Sequence, residues 1–358
     1  MNYDSRTIKI LSLMAEFKAD WFFVTSLFNI RYLSGFTGSH GVLLIGREKR
    51  YILTDGRYQE QVKNEVSGYE PVIQGNRQEL DAIAETVGDL SNQTVWFESD
   101  HCTFSRYKGM KSKIPGAKFV AKKDIVESLR KIKDEEEIAE IRRALETAEH
   151  ALEGVVGQIR EGMTERELAH LLEDEMWRNG ARKESFETLV LFGRRTSLCH
   201  GKPSDNRLQF GEAVLMDFGC ILDGYCSDIT RMAFLGRPDD DFRNMYAAVL
   251  AANRNVEEKI RPGMSGVEAD MLARQVTRGA GYEGLFLHSL GHGVGLEIHE
   301  YPRLSPIYET ALCAGSVVTV EPGLYIPDQG GIRIEDMIVI REDGCEVFNR
   351  ISKDLILL

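Results

Sequence analysis

Short apolar runs separated by polar turns dominate the first third of the chain. The runs at 22–24, 42–45, 51–54 and 95–97 are rich in aromatic and branched side chains, as buried strands are. The second and third runs are separated by a short polar segment, which predicts a hairpin. We therefore expect a mixed α/β unit over residues 1–123.

The pattern changes at a charged stretch that extends from Lys122 to Glu137. Beyond it, apolar residues recur at steps of three and four, which predicts a long helix with one face in a core; these residues are Ile138, Ile141, Leu145, Ala148 and Leu152. The charged stretch marks a boundary region. We therefore expect a second domain over residues 124–358.

The second domain contains an internal repeat. The run IREGMT begins at Ile159, and the run IRPGMS begins at Ile260, 101 residues later. In both, a Glu follows Thr or Ser by three residues, which is the capping-box signature of a helix start. The repeat predicts two related halves, and hence a pseudo-symmetric domain with a cleft between the halves.

Composition restricts the classes of function. The 358 residues are 43% hydrophobic and 28% charged, as in a soluble globular protein. A net charge of −12 without a basic block argues against binding to nucleic acid. The first 17 residues carry charges within their apolar stretch, which predicts neither a secretory signal nor a membrane anchor. We expect a cytoplasmic protein with no nucleic-acid or membrane partner.

Acidic residues lie at the ends of apolar runs in the second domain. Asp217 ends one run, Glu321 follows another, Glu335 precedes a third, and Asp228 lies eleven positions after Asp217, across a span that can form a hairpin. A buried carboxylate is costly unless it is paired or bound to a cation. His292 has glycine on both sides, which permits close approach of a ligand or metal.

Four carboxylates and one imidazole are a donor set for two divalent metal ions. Oxygen ligands in excess suit Mn²⁺, Co²⁺ or Mg²⁺ better than a structural zinc site. We predict two divalent ions, with Mn²⁺ as the first choice and Co²⁺ or Zn²⁺ as alternatives.

These residues and their surroundings resemble the pita-bread metallopeptidases, in particular the prolidase and aminopeptidase P branch. The resemblance is carried in the second domain by the runs LMDFG (215–219), GYCSDITR (224–231), HSLGHGVGLEIHE (288–300), TVEPGLYI (319–326) and GIRIEDM (331–337). In the first domain, residues 29–45 and 51–58 resemble the creatinase-type amino-terminal domain. The resemblance implies a small creatinase-type α/β domain followed by a pseudo-symmetric pita-bread catalytic domain.

The resemblance also implies a role for each candidate ligand. Asp217 would chelate one metal ion, Asp228 and Glu335 would bridge both, and His292 with Glu321 would complete the second. Glu321 is similar to the general base of the family, which moves a proton from the attacking water toward the departing amine.

Further residues are assigned by the same resemblance. His288 and His299 would stabilise the tetrahedral intermediate by donating hydrogen bonds where negative charge develops. His200 would line the substrate pocket. Arg333 and Tyr225 are expected at the substrate or behind a ligand carboxylate, although Tyr225 could equally be a packed aromatic side chain.

The activity implied is a dinuclear-metal exopeptidase that cleaves the Xaa-Pro bond at the amino end of short peptides, in a homodimer. The compact first domain favours Xaa-Pro dipeptides, and an aminopeptidase P that acts on longer peptides is the alternative. Metal-free amidine hydrolysis of the creatinase type fits poorly, because all five ligands are present. A non-catalytic binding module of the same fold is a remote alternative.

Overall fold

A computed structural model describes residues 1–358, which form two compact units, Met1–Arg130 and Lys131–Leu358. The domain limit expected from the sequence lies a few residues before this division and stays a prediction. None of the helices combines enough length with enough apolar character to cross a bilayer.

The first unit contains six helices and a six-stranded sheet. Its helices are α1 (Tyr3–Glu16), α2 (Leu27–Ser34), α3 (Gln59–Glu65), α4 (Glu79–Val87), α5 (Phe104–Lys113) and α6 (Glu127–Arg130), with a 3-10 turn at Gly56–Tyr58. Its strands are β1 (Trp21–Val24), β2 (Val42–Gly46), β3 (Arg50–Thr54), β4 (Glu70–Ile73), β5 (Thr94–Glu98) and β6 (Lys118–Lys122).

This sheet is mixed, in the order β4-β3-β2-β1-β5-β6. Strands β1, β2 and β3 pair antiparallel, whereas β4 pairs parallel to β3, and β5 pairs parallel to both β1 and β6. Phe23, Leu44, Leu53 and Val95 share one buried cluster. The four predicted strands and the predicted hairpin are confirmed. Their branched and aromatic side chains favour strands because they pack into this buried cluster.

The second unit contains four long helices and the remaining strands. The helices are α7 (Glu135–Val156), α8 (Glu165–Arg178), α9 (Asp240–Lys259) and α10 (Gly266–Gly279), with a 3-10 turn at Gly193–Ser197. The strands of its first half are β7 (Lys183–Glu184), β8 (Leu189–Phe192), β9 (Ala213–Phe218), β10 (Cys220–Leu222), β11 (Tyr225–Cys226) and β12 (Ile229–Phe234). The remaining strands are β13 (Gly291–Gly293), β14 (Glu300–Leu304), β15 (Val317–Val320), β16 (Gly323–Ile326), β17 (Gly330–Arg333), β18 (Asp336–Arg341), β19 (Gly344–Val347) and β20 (Ile356–Leu357).

Helix α7 confirms the helical periodicity expected from the sequence. Asp134 and Glu137 form a capping box at its start, and all five residues of the predicted apolar face are buried. The helix therefore begins where its first backbone N–H groups find acceptors, and one of its faces is removed from water.

The internal repeat is matched by equivalent hydrogen bonds in the two halves. Thr164 and Ser265 each form a capping box, at the starts of α8 and α10. Before these caps, Gly162 N donates to Leu208 O at 2.8 Å, and Gly263 N donates to the oxygen of Leu312 at 2.9 Å. The predicted pseudo-symmetry is thus present at the level of individual bonds.

Two antiparallel sheets of the second unit hold the candidate ligands. One has the order β20-β12-β9-β8, with only β20 running parallel to its neighbour, and the other has the order β14-β13-β15-β18-β19. Helices α9 and α10 pack on a shared core that includes Val249, Ala273, Val318 and Ile338. The sheets therefore rest on a buried apolar layer, which fixes their ends in space.

Candidate metal centre and substrate cavity

A tight hairpin brings Asp228 back beside Asp217. Strands β10 and β11 are joined by Asp223 and Gly224, whose φ angles are 47° and 87°, as a type I′ turn requires. Strand β12 then pairs with β9, with Thr230 opposite Asp217. The span that the sequence suggested as a hairpin thus contains a small hairpin of its own.

The second sheet brings Glu321 and Glu335 to one edge. Strands β15 and β18 pair antiparallel with Val320 opposite Asp336, so Glu321 just after β15 and Glu335 just before β18 lie at the same end. His292 lies on the neighbouring strand β13.

The glycines beside His292 are required by strand packing, and Gly291 also lines the cavity described below. Their expected role in the approach of a ligand or metal stays a prediction. A Cβ on Gly291 would lie 2.0 Å from Thr319 O, and one on Gly293 would lie 2.4 Å from the oxygen of Tyr301. Only glycine therefore fits at these two positions between the neighbouring strands.

The four acidic residues predicted as metal ligands line one cavity of about 560 Å³. The cavity is lined by nine of the ten candidate residues, namely Asp217, Asp228, Glu321, Glu335, His200, His288, His292, His299 and Arg333. Ligand atoms of Asp228, His292 and Glu335 lie within 4.8 Å of one another. The tertiary structure therefore brings together residues that are more than 100 positions apart in the chain.

The tautomer of His292 is set by its backbone. Its Nδ1–H donates to Gly293 O at 3.1 Å, because a carbonyl oxygen can only accept. The Nε2 lone pair then faces Asp228 Oδ2 and Glu321 Oε1, each 3.5 Å away. A lone pair directed at two carboxylate oxygens is repulsive unless a proton or a metal cation lies between them.

Burial sets the protonation of the site. It raises the pKa of Glu321 to about 8, with Asp217 adding to the effect. It also raises the pKa values of Asp228 and Glu335 well above the ordinary range, and neighbouring carboxylates reinforce this. The same burial lowers the pKa of His292 to about 3 and that of His288 to about 4, so both imidazoles are neutral at pH 7.

Arg333 connects the two sheets behind the cavity. Its guanidinium pairs with Asp217 Oδ2, donates to Tyr325 Oη at 2.7 Å and donates to Thr230 Oγ1 at 3.1 Å. The Thr230 hydroxyl donates in turn to Glu335 Oε2 at 2.7 Å. Arg333 thus holds the carboxylate of Asp217 directly and that of Glu335 through Thr230. Its ion pair with Asp217 compensates for the burial of the guanidinium.

His288 is held by hydrogen bonds at both ring nitrogens. Nδ1–H donates to Ser289 O at 2.8 Å, which leaves Nε2 to accept from the Tyr325 hydroxyl at 2.9 Å. In this arrangement the ring has no free N–H for a substrate. Donation to a developing oxyanion, as the sequence suggested, requires the ring to exchange one of these partners.

His299 lies directly beside His292. Their ring centroids are 4.2 Å apart with an interplanar angle of 62°. Burial lowers the pKa of His299, and the charge of Arg303 adds to this effect. His200 lies at the cavity wall and is exposed.

Tyr225 is placed elsewhere, so its predicted contact with substrate is corrected. It is buried, and its hydroxyl donates to Glu137 Oε1 at 3.0 Å, at the start of α7. It does not line the cavity. The tyrosine hydrogen-bonded to site residues is Tyr325, which the sequence did not distinguish from an ordinary strand residue.

Comparison with known proteins places the chain in a family. The pattern of metallopeptidase family M24 matches residues 139–342, and that of the Creatinase/Prolidase N-terminal domain matches residues 6–132. This chain belongs to metallopeptidase family M24. As an M24 protein it has the family and the two-domain fold class expected from the sequence, which are thereby confirmed.

Full-length relatives of this M24 protein include peptidases with two names. It is 37% identical to the Xaa-Pro dipeptidase of Pyrococcus furiosus, over 98% of this chain and 99% of the relative. The solved structure of the Xaa-Pro dipeptidase from Bacillus anthracis has a TM-score of 0.96 and 39% identity, with all of both chains covered. That of the X-Pro aminopeptidase from Thermotoga maritima MSB8 has a TM-score of 0.91 and 37% identity, covering 95% of this chain and 98% of that one.

Membership of M24 implies divalent metal ions, and the cavity fits them. Asp217 Oδ1 is buried without a hydrogen-bond partner, and the His292 lone pair faces two carboxylates. Oxygen donors with one neutral imidazole are a normal ligand set for such ions. The donor set therefore fits the group that the family implies.

Arg303 is a further cavity residue that sequence reasoning missed. It lies opposite His292 in the β13–β14 ladder, so both side chains emerge on the same face, and it lines the cavity. No acidic side chain lies within ion-pairing distance of it. The signal in the sequence is weak, since a single arginine in a short strand is ordinarily a surface residue.

Proposed function

We propose that this M24 protein is a metal-dependent exopeptidase that cleaves the Xaa-Pro bond at the amino end of short peptides, with Xaa-Pro dipeptides preferred. The observation that carries this proposal is the cluster of four carboxylates and a neutral imidazole in one cavity. Two of the full-length relatives named above are Xaa-Pro dipeptidases, which supports the choice of substrate class.

The proposed metal ligands are Asp217, Asp228, His292, Glu321 and Glu335, which would hold two divalent ions, with Mn²⁺ as the first choice over Co²⁺ or Zn²⁺. When bound, such ions supply Lewis-acid activation of water and of the scissile carbonyl. Asp228 and Glu335 resist ionisation because they are buried beside other carboxylates. Bound cations would offset the repulsion between these negative charges.

Glu321 is proposed as the group that moves the proton. The attacking water must lose a proton, and the proline nitrogen must gain one to leave as a secondary amine. The buried Glu321 carboxylate, 3.5 Å from His292 Nε2, lies in the cavity and accepts a hydrogen bond from Thr319 Oγ1 at 3.2 Å. That bond fixes one carboxylate oxygen, and Oε2 is 3.9 Å from the Nδ1 atom of His288.

His299 and His288 are proposed to stabilise the carbonyl oxygen as it becomes negative. Both rings line the cavity, and burial keeps them neutral, so neither brings a positive charge next to the metal site. His288 donates to the oxyanion only after its ring exchanges its hydrogen bond to Ser289 O or to the Tyr325 hydroxyl. His200 is proposed to contact substrate at the cavity wall, and Arg333 to hold Asp217 in its ligand position.

Arg303 supports the preference for dipeptides. In an Xaa-Pro dipeptide the carboxylate lies only a few atoms beyond the scissile bond, so a cation near the metal site can bind it. Of the three basic residues that line the cavity, Arg333 is paired with Asp217 and Lys202 with Glu187, whereas Arg303 has no acidic partner. A guanidinium binds a carboxylate through two parallel hydrogen bonds.

The test compares Ala-Pro, its carboxyl amide and Ala-Pro-Pro as substrates of Mn²⁺-loaded protein and of an Arg303→Met variant. Loss of a charge-assisted hydrogen bond should raise KM for Ala-Pro about 10- to 100-fold, with little effect on the amide. Lys202→Met is the matched control, because its charge is already neutralised by Glu187.

Two results would decide against the proposal. If metal-loaded protein releases no proline from a panel of Xaa-Pro dipeptides, the dipeptidase assignment is wrong. Equal efficiency on Ala-Pro and Ala-Pro-Pro would indicate an aminopeptidase P instead.

A homodimer and a cytoplasmic location belong to the same proposal. A mass from light scattering near twice the 40.4 kDa of one chain would support the dimer.

A further inference from the structure

A buried ion pair lies next to His299. Lys133 Nζ is 2.7 Å from Glu300 Oε1, and the two side chains are only 1% and 6% exposed. Neither residue lines the cavity. This arrangement, the Lys133–Glu300 pair, is close to the site in sequence, since Glu300 directly follows His299, yet it has no place in the proposed chemistry.

The backbone of Lys133 is hydrogen-bonded to the sheet region of the second unit. Its backbone N donates to Gly315 O at 2.8 Å, and Gly315 N donates to Ile340 O at 2.8 Å, so it is tied to the sheet that carries Glu335. The next residue, Asp134, caps α7. The position of the Lys133 ammonium is therefore set by a helix start and a sheet edge together.

Glu300 closes the loop that carries His299. Residues 294–299, which we call the histidine loop, connect β13 to β14, and Glu300 pairs with Gly293 across its base. A Cβ on Gly295 would lie 2.5 Å from Glu300 Oε1, so the loop folds directly over the carboxylate. Cys226 N also donates to Gly295 O at 2.8 Å. The carboxylate is thus in contact with the inside of the loop.

The segment with the other catalytic histidine is held in a comparable way. Arg274 on α10 pairs with Asp270 at 2.6 Å and donates to His288 O at 2.6 Å, and Asp270 Oδ1 accepts from Leu290 N at 3.0 Å. An ion pair with a largely buried carboxylate therefore fixes the backbone around His288. The Lys133–Glu300 pair lies beside the segment that carries His299.

We propose that Lys133 and Glu300 are positioning residues for catalysis, which hold the histidine loop so that His299 stays against His292 and faces the substrate. This inference rests on the proposed peptidase function. Two charges removed from water gain little net stability compared with apolar side chains of equal volume. Their contribution here is a short electrostatic contact between two fixed points of the chain, which an apolar pair does not provide.

The decisive variant is the double substitution Lys133→Met with Glu300→Leu. It replaces the pair with apolar side chains and leaves no unpaired buried charge, so the protein should fold and keep its metal content. We expect KM to change little and kcat to fall about 10²-fold, because small misplacements of a catalytic group have effects of this size. Glu300→Gln, which leaves the Lys133 ammonium unpaired, should lower both kcat and the melting temperature.

The matched control is Leu152→Ala, in the core face of α7, which should lower the melting temperature and leave kcat unchanged. A readout independent of activity is the NMR signal of His299 in protein labelled at histidine Cε1, assigned from a His299→Asn spectrum of the eight histidines. The signal should move in the double variant and stay in place in Leu152→Ala.

Parental kcat per bound metal in the folded double variant, or an unmoved His299 signal, would overturn the inference. The same conclusion follows if Leu152→Ala loses as much kcat as the double variant. Should the parent protein cleave no Xaa-Pro substrate at all, the proposed function fails, whereas the His299 signal still tests the positioning.

Discussion

At the scale of single residues, burial keeps the His292 imidazole neutral and opposes ionisation of the neighbouring carboxyl groups. The imidazole of His292 stays neutral, with its lone pair on Nε2, because Nδ1–H is bound to Gly293 O. Asp228 and Glu335 resist ionisation without a cation. A bound cation would therefore replace the protons that these carboxyl groups otherwise keep.

Removal of one proposed bridging carboxylate tests this view. Asp228→Asn should lower the bound metal per chain and reduce kcat at least about 10²-fold, since even the loss of a group behind a ligand has effects approaching this size. Metal analysis and dipeptide kinetics on the same sample measure both. The control is Glu258→Gln, an exposed acid on α9. Full activity with a full metal complement in Asp228→Asn would refute the ligand assignment.

At the scale of elements, the second unit uses the same local device in both halves. Thr164 and Ser265 each accept from the backbone N of a Glu three residues later, at 3.1 and 3.2 Å, and the Glu carboxylate accepts from the cap backbone N at 2.7 Å in both. These bonds satisfy N–H groups that a helix start otherwise leaves without partners.

Substitution of either cap should therefore have a similar effect. Thr164→Ala and Ser265→Ala should each lower the free energy of unfolding by about 1 kcal/mol, measured by urea denaturation followed by circular dichroism. Ser112→Ala, at an exposed position in the last turn of α5, should have little effect. Unchanged stability in both cap variants would show that the capping boxes contribute nothing measurable.

The elements were also the most predictable level of the structure. The strands at 22–24, 42–45, 51–54 and 95–97, the apolar face of α7 and both capping boxes follow from local spacing alone. The turn at Asp223 and Gly224 was predicted only as part of a longer span, because the short hairpin that contains it is defined by pairing across the sheet.

At the scale of the whole molecule, the stability of the metal-free protein should depend on pH through these buried acids. The pKa of Glu321 is about 8 in the folded protein against 4.5 for the ordinary group, so the folded state holds this proton more tightly than the unfolded chain does. Its contribution is present below pH 4.5 and is lost as the pH rises through 8. The lowered pKa values of His288 and His292 act in the opposite sense, because they reduce stability as the pH falls. This effect begins only below about pH 6.5, where the unfolded chain takes up the protons.

Between pH 7 and pH 9 we therefore expect the melting temperature of chelator-treated protein to fall. Saturating Mn²⁺ should raise it more at pH 9 than at pH 7, because bound cations stabilise the ionised carboxylates. Scanning calorimetry with and without metal measures this. In Glu321→Gln the pH dependence of the metal-free protein should be smaller, and an unchanged slope in that variant would contradict the assignment.

By itself, the sequence determined several strands, helix α7, the starts of α8 and α10, the repeated halves and the donor types of the candidate centre, because periodicity, caps and the order of acids along the chain are local features. Only the tertiary structure decided which groups meet: Tyr325 beside His288, Tyr225 beside Glu137, Arg303 beside His292, and Lys133 beside Glu300. Burial and contact between residues distant in the chain arise from packing, which local spacing does not encode.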